Sequence, residues 1–179
     1  MRIATFAATT AAVALVSTIV IAQSVSYDFD RAANFGKYKT YAWTRGTELA
    51  DQLNHARVVR SIEGQLGAKG LTKAVPGAPA DILVAYHTSF DKNLQINAYS
   101  SGFGGPRFGG LRTGTATTQE IVTGTLVVDM LDAATRSIVW RGLASGELDP
   151  KTKPEKRDRN INKTTEKLFK NYPPRESSK

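Results

Sequence analysis

Between residues 122 and 144 apolar and polar positions alternate on both sides of a short polar turn. Val122, Gly124, Leu126, Val128 and Met130 share one parity before residues 132–136, and Ile138, Trp140, Gly142 and Ala144 share it afterwards. A period of two marks strands with one buried face, so the stretch predicts a β-hairpin. With 132–136 as the loop, Met130 faces Ile138, Val128 faces Trp140 and Leu126 faces Gly142. A slip of one residue would send Trp140 to the face opposite Val128, so the pattern selects this pairing. Trp140 then fills the core over small neighbours such as Gly142, and Asp132 and Thr135 turn the chain by bonding their own backbone. Asp129 and Arg141 share the outer face on a diagonal, within reach of a weak ion pair.

The same reading places the other elements. Residues 24–30 alternate, with Val25, Tyr27 and Phe29 on one face and Ser26, Asp28 and Asp30 on the other, and predict a strand. Asp28 and Asp30 read as a solvated strand face, because a calcium loop needs more oxygen ligands nearby. Residues 40–44 form a second extended piece with Tyr41 and Trp43 facing together. From about 50 to 69 the period changes, and Val58, Val59, Ile62 and Leu66 make one stripe of an amphipathic helix that Gly70 ends. Gly64 and Gly67 weaken its propensity by roughly 1 kcal/mol each, unless they serve close approach to a sheet. Residues 82–90 form a β-branched and aromatic strand, and residues 94–99 a further strand that pairs with it. The run Thr152-Lys153-Pro154-Glu155 reads as a capping box, with Ile161, Thr165, Leu168 and Tyr172 as the buried stripe and Pro173-Pro174 as the stop. The expected architecture is α+β: a single largely antiparallel sheet with two helices packed on one face.

Composition decides what surrounds that domain. Residues 1–22 carry one charge, Arg2, and an apolar run ending in a small-residue exit, the layout of a signal peptide cut after Ala22. The run also reaches the length of a bilayer span, so an uncleaved anchor is the alternative. The mature chain is then one domain over residues 23–174 with a disordered tail at 175–179. The chain contains no cysteine, which excludes disulfides, zinc–thiolate clusters and a cysteine-borne lipid anchor. The formal net charge of +8 points, after export to a periplasm, to anionic envelope surfaces rather than nucleic acid.

Tyr38-Lys39-Thr40-Tyr41-Ala42-Trp43, Asp81, and Asp129 with Trp140-Arg141-Gly142 resemble the bacterial envelope family known as domain of unknown function 4136. The resemblance runs from about Tyr27 to Pro174. It implies a small exported protein of a group often anchored by lipid, and it supplies no activity, cofactor or catalytic residue. The missing cysteine departs from the lipid-anchored pattern.

Candidate chemistry is sparse. His55 and His87 are the only histidines, and neither lies in a metal-binding or hydrolase motif. Residues 100–115 form a glycine-rich loop whose Gly102, Gly104 and Gly105 fail the dinucleotide fingerprint, because Arg107 stands at the third glycine position. Phe103, Arg107, Phe108 and Arg112 interleave aromatic and cationic groups in that loop and are the candidate partner-binding residues. The sequence therefore points to a non-enzymatic envelope module that contacts a protein or an anionic envelope component, with peripheral membrane association if any. A carrier of a small lipophilic ligand in a cleft between sheet and helices is the alternative, and a hydrolase ranks third. No cofactor or metal is expected.

Overall fold

A computed structural model describes residues 24–101 and 113–174. The expected leader at 1–22 and tail at 175–179 lie outside the described residues. The chain runs β1 (Ser24–Phe29), β2 (Thr40–Trp43), α1 (Gln52–Ala68), β3 (Thr72–Lys73), β4 (Ile82–Ser101), β5 (Thr113–Asp132), β6 (Ile138–Leu148) and α2 (Pro154–Phe169). The strands form one six-stranded sheet in the order β1-β6-β5-β4-β2-β3. The α+β class is as expected. The sheet is mixed, however: β1, β6, β5 and β4 pair antiparallel, whereas β2 lies parallel to both β3 and β4. A single crossover through α1 suffices for both parallel pairs, because the loop after β3 brings the chain back past β2 to start β4.

α1 begins where Asp51 accepts hydrogen bonds from Leu53 N and Asn54 N. It ends at Gly70, whose φ of 82° is the left-handed conformation expected of that residue. Val58, Ile62 and Leu66 are buried as the stripe predicts. Gly64 and Gly67 do not serve close approach, since a Cβ at either position meets nothing within 4 Å. α2 starts one residue later than the capping box requires. Lys153 is the N-cap and makes no side-chain cap bond, while Pro154 opens the helix. Thr165 and Leu168 are buried on its inner side together with Phe169, which the apolar stripe had not included. Ser61 on α1 bonds Asn162 Oδ1 at 2.7 Å and Thr165 Oγ1 at 2.6 Å, so the two helices are tied through hydroxyls under the core.

The β5–β6 hairpin has the expected loop and a different register. Met130 pairs with Trp140, Val128 with Gly142 and Leu126 with Ala144, two residues away from the pairing read in the sequence. Arg136 takes a φ of 60° to close the turn, and a bulge beside Met130 leaves Val139 as the extra residue. A shift of two preserves the faces, so Val128, Met130 and Trp140 all point into the core. Ile138 does not: the bulge leaves it 44% exposed and buries Val139 instead. Trp140 stacks on Phe169 with centroids 5.2 Å apart and meets Tyr172 edge-on at 5.5 Å. Its indole Nε1 has no hydrogen-bond partner, so the side chain serves by volume. Gly142 makes room for it, since a Cβ there would lie 2.4 Å from the Trp140 ring and 2.8 Å from Leu168.

The strand expected at 94–99 is not a separate element. β4 continues unbroken to Ser101 and pairs along its length with β5, from Ile82 with Asp132 to Ser101 with Thr113. The partner of 94–99 is therefore 115–120, not 82–90.

Candidate functional site

The residues that distinguish this sequence gather at two places in the packed half of the sheet. At one end, Asp132 closes the β5–β6 turn by accepting from Ala134 N and Thr135 N, and its other oxygen takes Lys37 Nζ at 2.8 Å and Tyr38 Oη at 3.0 Å. The Lys37 ammonium, the Thr135 amide and the Tyr38 hydroxyl hold its carboxyl well below the usual carboxylate range. Asp81 sits nearby and receives Lys39 N, Thr40 N and Thr40 Oγ1 at 2.8 to 3.0 Å on one oxygen. Those two amides, with the hydroxyl, lower its pKa also. Trp43 donates its indole hydrogen to Glu63 on α1 at 2.8 Å, which fixes β2 beneath the helix. The string from Tyr38 to Trp43 and Asp81 thus work as anchors of the β2 edge.

The second place is the sheet face opposite the helices. Asp129 and Arg141 are direct neighbours across β5 and β6 rather than diagonal, and Arg141 grips both carboxylate oxygens at 2.6 and 2.7 Å. Only 5% of the Asp129 side chain is exposed, so the pair is stronger than the weak contact read in the sequence. His87 on β4 brings Nε2 to 3.5 Å from Asp129 Oδ2. Its Nδ1 accepts from Thr47 N and lies 3.1 Å from Thr47 Oγ1. Because Nδ1 accepts, the neutral ring carries its proton on Nε2, toward Asp129. A hydroxyl, an imidazole and a carboxylate therefore lie in sequence, which no local motif signalled. A backbone amide occupies the His87 Nδ1 lone pair, and Arg141 takes one hydrogen bond on each Asp129 oxygen. The arrangement fastens residues 44–49 along β4, where Thr47 and His87 form a parallel bridge. His55 is used the same way, sharing a 2.6 Å hydrogen bond with the buried Tyr86 hydroxyl, which also accepts from Leu49 N. Among the described residues no group of three or more His, Cys, Asp or Glu is placed to hold a metal ion. An open recess of about 440 Å³ lined by Trp43, Thr44, Arg45, Gly46 and Glu48 lies at the end of β2.

A different kind of feature begins where these contacts stop. β6 accompanies β5 only from Val122 onward, and β2 accompanies β4 only over its first three residues. Past these neighbours, residues 93–101 of β4 and 113–121 of β5 pair only with each other among the described residues. The result is a two-stranded ribbon that projects nine residue pairs beyond Lys92 and Val122, from Asn93 with Ile121 to Ser101 with Thr113. At about 3.4 Å per residue it reaches roughly 30 Å. Among the described residues neither outer edge of the ribbon has a strand partner, and an edge without one is the arrangement that accepts another strand. Phe103, Arg107, Phe108 and Arg112 lie outside the described residues. The segment that carries them joins Ser101 to Thr113, so it starts and ends at the tip of the ribbon.

A family model described as a domain of unknown function (DUF4136) matches residues 25–174. The chain belongs to the DUF4136 family. A DUF4136 family protein from Bacteroides thetaiotaomicron has a similar structure, with a TM-score of 0.52 at 14% identity over 84% of this chain and 96% of that one. A PDZ domain protein from Parabacteroides distasonis superposes with a TM-score of 0.56 at 17% identity, covering 86% of this chain. This chain spans only 36% of the length of that protein. The PelC dodecamer from Paraburkholderia phytofirmans gives a TM-score of 0.50 at 9% identity, over 83% of this chain and 95% of that one. At these identities the likeness is one of fold. The search among curated proteins found no match.

Proposed function

We propose that this DUF4136 protein is an exported binding module of the cell envelope that engages a protein partner through the β4–β5 ribbon. The observation that carries the reading is the ribbon itself: nine residue pairs extend past Lys92 and Val122, where neither strand has a second neighbour among the described residues. Exposed strand edges are usually shortened, charged or covered, and one left open over this length is suited to pairing with another chain. Phe103, Arg107, Phe108 and Arg112, in the sequence segment that joins its two strands, add aromatic and cationic groups of the kind enriched at interfaces. The PelC protein of similar fold forms a dodecamer, which supports a use of this architecture in assembly. The leader-like residues 1–22 and the basic composition support export to the periplasm and peripheral contact with the envelope.

Binding is favoured over catalysis by the use of His87 and Asp129, the pair best placed for acid–base work, in structural contacts: Thr47 N occupies His87 Nδ1, and Arg141 grips the Asp129 carboxylate. A lipophilic carrier needs space between sheet and helices, and Trp140, Phe169 and Tyr172 fill the space beneath α2. In-cell photo-cross-linking tests the proposal. A photoreactive residue at Gln95 or Thr117 captures a discrete partner, one at Arg60 on α1 does not, and alanine at Phe103, Arg107, Phe108 and Arg112 weakens the capture. Equal capture from Arg60, or none from the ribbon, overturns it.

A further inference from the structure

α2 carries two opposed faces. Ile161, Thr165, Leu168 and Phe169 turn inward, and Lys156, Arg159, Lys163, Lys167 and Lys170 are all exposed. At 100° per residue those five cations fall within about 80° of one another, directly opposite the buried stripe. They make a straight row of about 21 Å along a rigid helix. Other arginines nearby are used inside the fold. Arg57 pairs with Asp158 at 2.8 Å, and Arg157 donates to the carbonyls of Pro150 and Thr152. No member of the row has an ion-pair partner among the described residues, although Glu155 and Glu166 flank one side of it.

We infer that this row docks on the surface of an anionic lipid bilayer. The inference goes beyond the ribbon reading and does not depend on it. The chemistry of the face selects the occupant. A protein interface needs buried aromatic or aliphatic anchors at its centre, and residues 154–171 expose none apart from Pro154 at the helix start. Single-stranded nucleic acid needs stacking platforms, which the row also lacks. A plane of phosphate headgroups needs only cations held at one level, and such clusters bind anionic leaflets through charge. The apolar side of α2 is already consumed by the core, so the helix rests on headgroups without inserting, and the attachment is reversible and salt-sensitive.

The test is vesicle flotation of the full chain on phosphatidylcholine vesicles with and without 30 mol% (about one lipid in three) phosphatidylglycerol. Residues 1–22 and the cations outside the row are the same in the wild-type chain and in the five-position variant, so the difference between those two chains reports the row. The wild-type chain binds the anionic vesicles preferentially, and raising salt from about 0.05 to 0.5 M abolishes the preference. Glutamine at all five positions lowers partition about 100-fold or more at unchanged melting temperature. Arginine at Lys156, Lys163, Lys167 and Lys170 retains it. A control variant with glutamine at Arg31, Arg45, Arg60 and Lys151 loses charge elsewhere and stays within about fivefold of wild type. Equal loss in the control variant overturns the inference, because net charge then explains the binding. So does a wild-type chain that binds an acidic protein or a nucleic acid while showing no preference between the vesicles.

Discussion

The two ends of the β4–β5 hairpin are made from one continuous pair of strands and follow opposite rules. At the closed end, near Ile82 and Asp132, each strand has a second neighbour, one face lies under helices and the register is pinned by a core of Val84, Met130 and Trp140. At the open end the same strands have only each other among the described residues. Stability is a property of the first end, because burial of apolar area supplies most of it. The second has no other strand beside it among the described residues, which is where a further strand could pair. One continuous hairpin thus joins a packed end to an end without second neighbours among the described residues, and the proposed function assigns binding to the latter.

The comparison breaks most visibly at Trp140. Trp140→Ala removes the largest fully buried side chain and costs about 3–5 kcal/mol, read as a loss of folded protein on denaturant titration. Trp140→Phe costs less, since the lost indole N–H had no partner to leave behind. Asp132 at the closed end gives a pH signature. Its folded carboxyl titrates below its unfolded value of about 3.9, so the stability it contributes is complete above that value and is lost as pH falls through the folded range. The melting temperature of the wild type therefore drops below about pH 4, and Asp132→Asn starts lower and shows a shallower drop. A smaller effect of opposite sign belongs to α1. Gly64→Ala and Gly67→Ala fill open space in a helix and each raise stability by about 0.5–1 kcal/mol. A loss of stability there would show that α1 is packed more closely than the structure has it.

Much of the closed end was legible in the sequence because its rules are local. The parity of residues 122–144 survives a two-residue shift, so the core face was correct although the pairing was not. The bulge was hidden, since nothing about Arg136 announces a left-handed turn, and with it went the exposure of Ile138. The parallel β2–β4 pairing and the approach of His87 to Asp129 join distant residues and leave no periodic trace. β4 runs unbroken through the polar residues Asp91, Lys92 and Asn93, so the strand expected at 94–99 is its continuation, and which partner it takes is set by distant residues. The cationic row on α2 obeys the same 3.6-residue period as the buried stripe and could have been found by reading the polar face with equal care.

The division between the two ends is tested most directly by replacing residues 94–120 with an Asn-Gly turn, which joins the strands just past the Asn93–Ile121 pair. Thermal melting and recovery of the partner captured by the ribbon are then measured on the same variant. The account predicts a melting temperature within about 2 °C of wild type, as for a change of no more than about 0.5 kcal/mol, and no partner. A fall of about 10 °C or more, or a partner still bound, contradicts it.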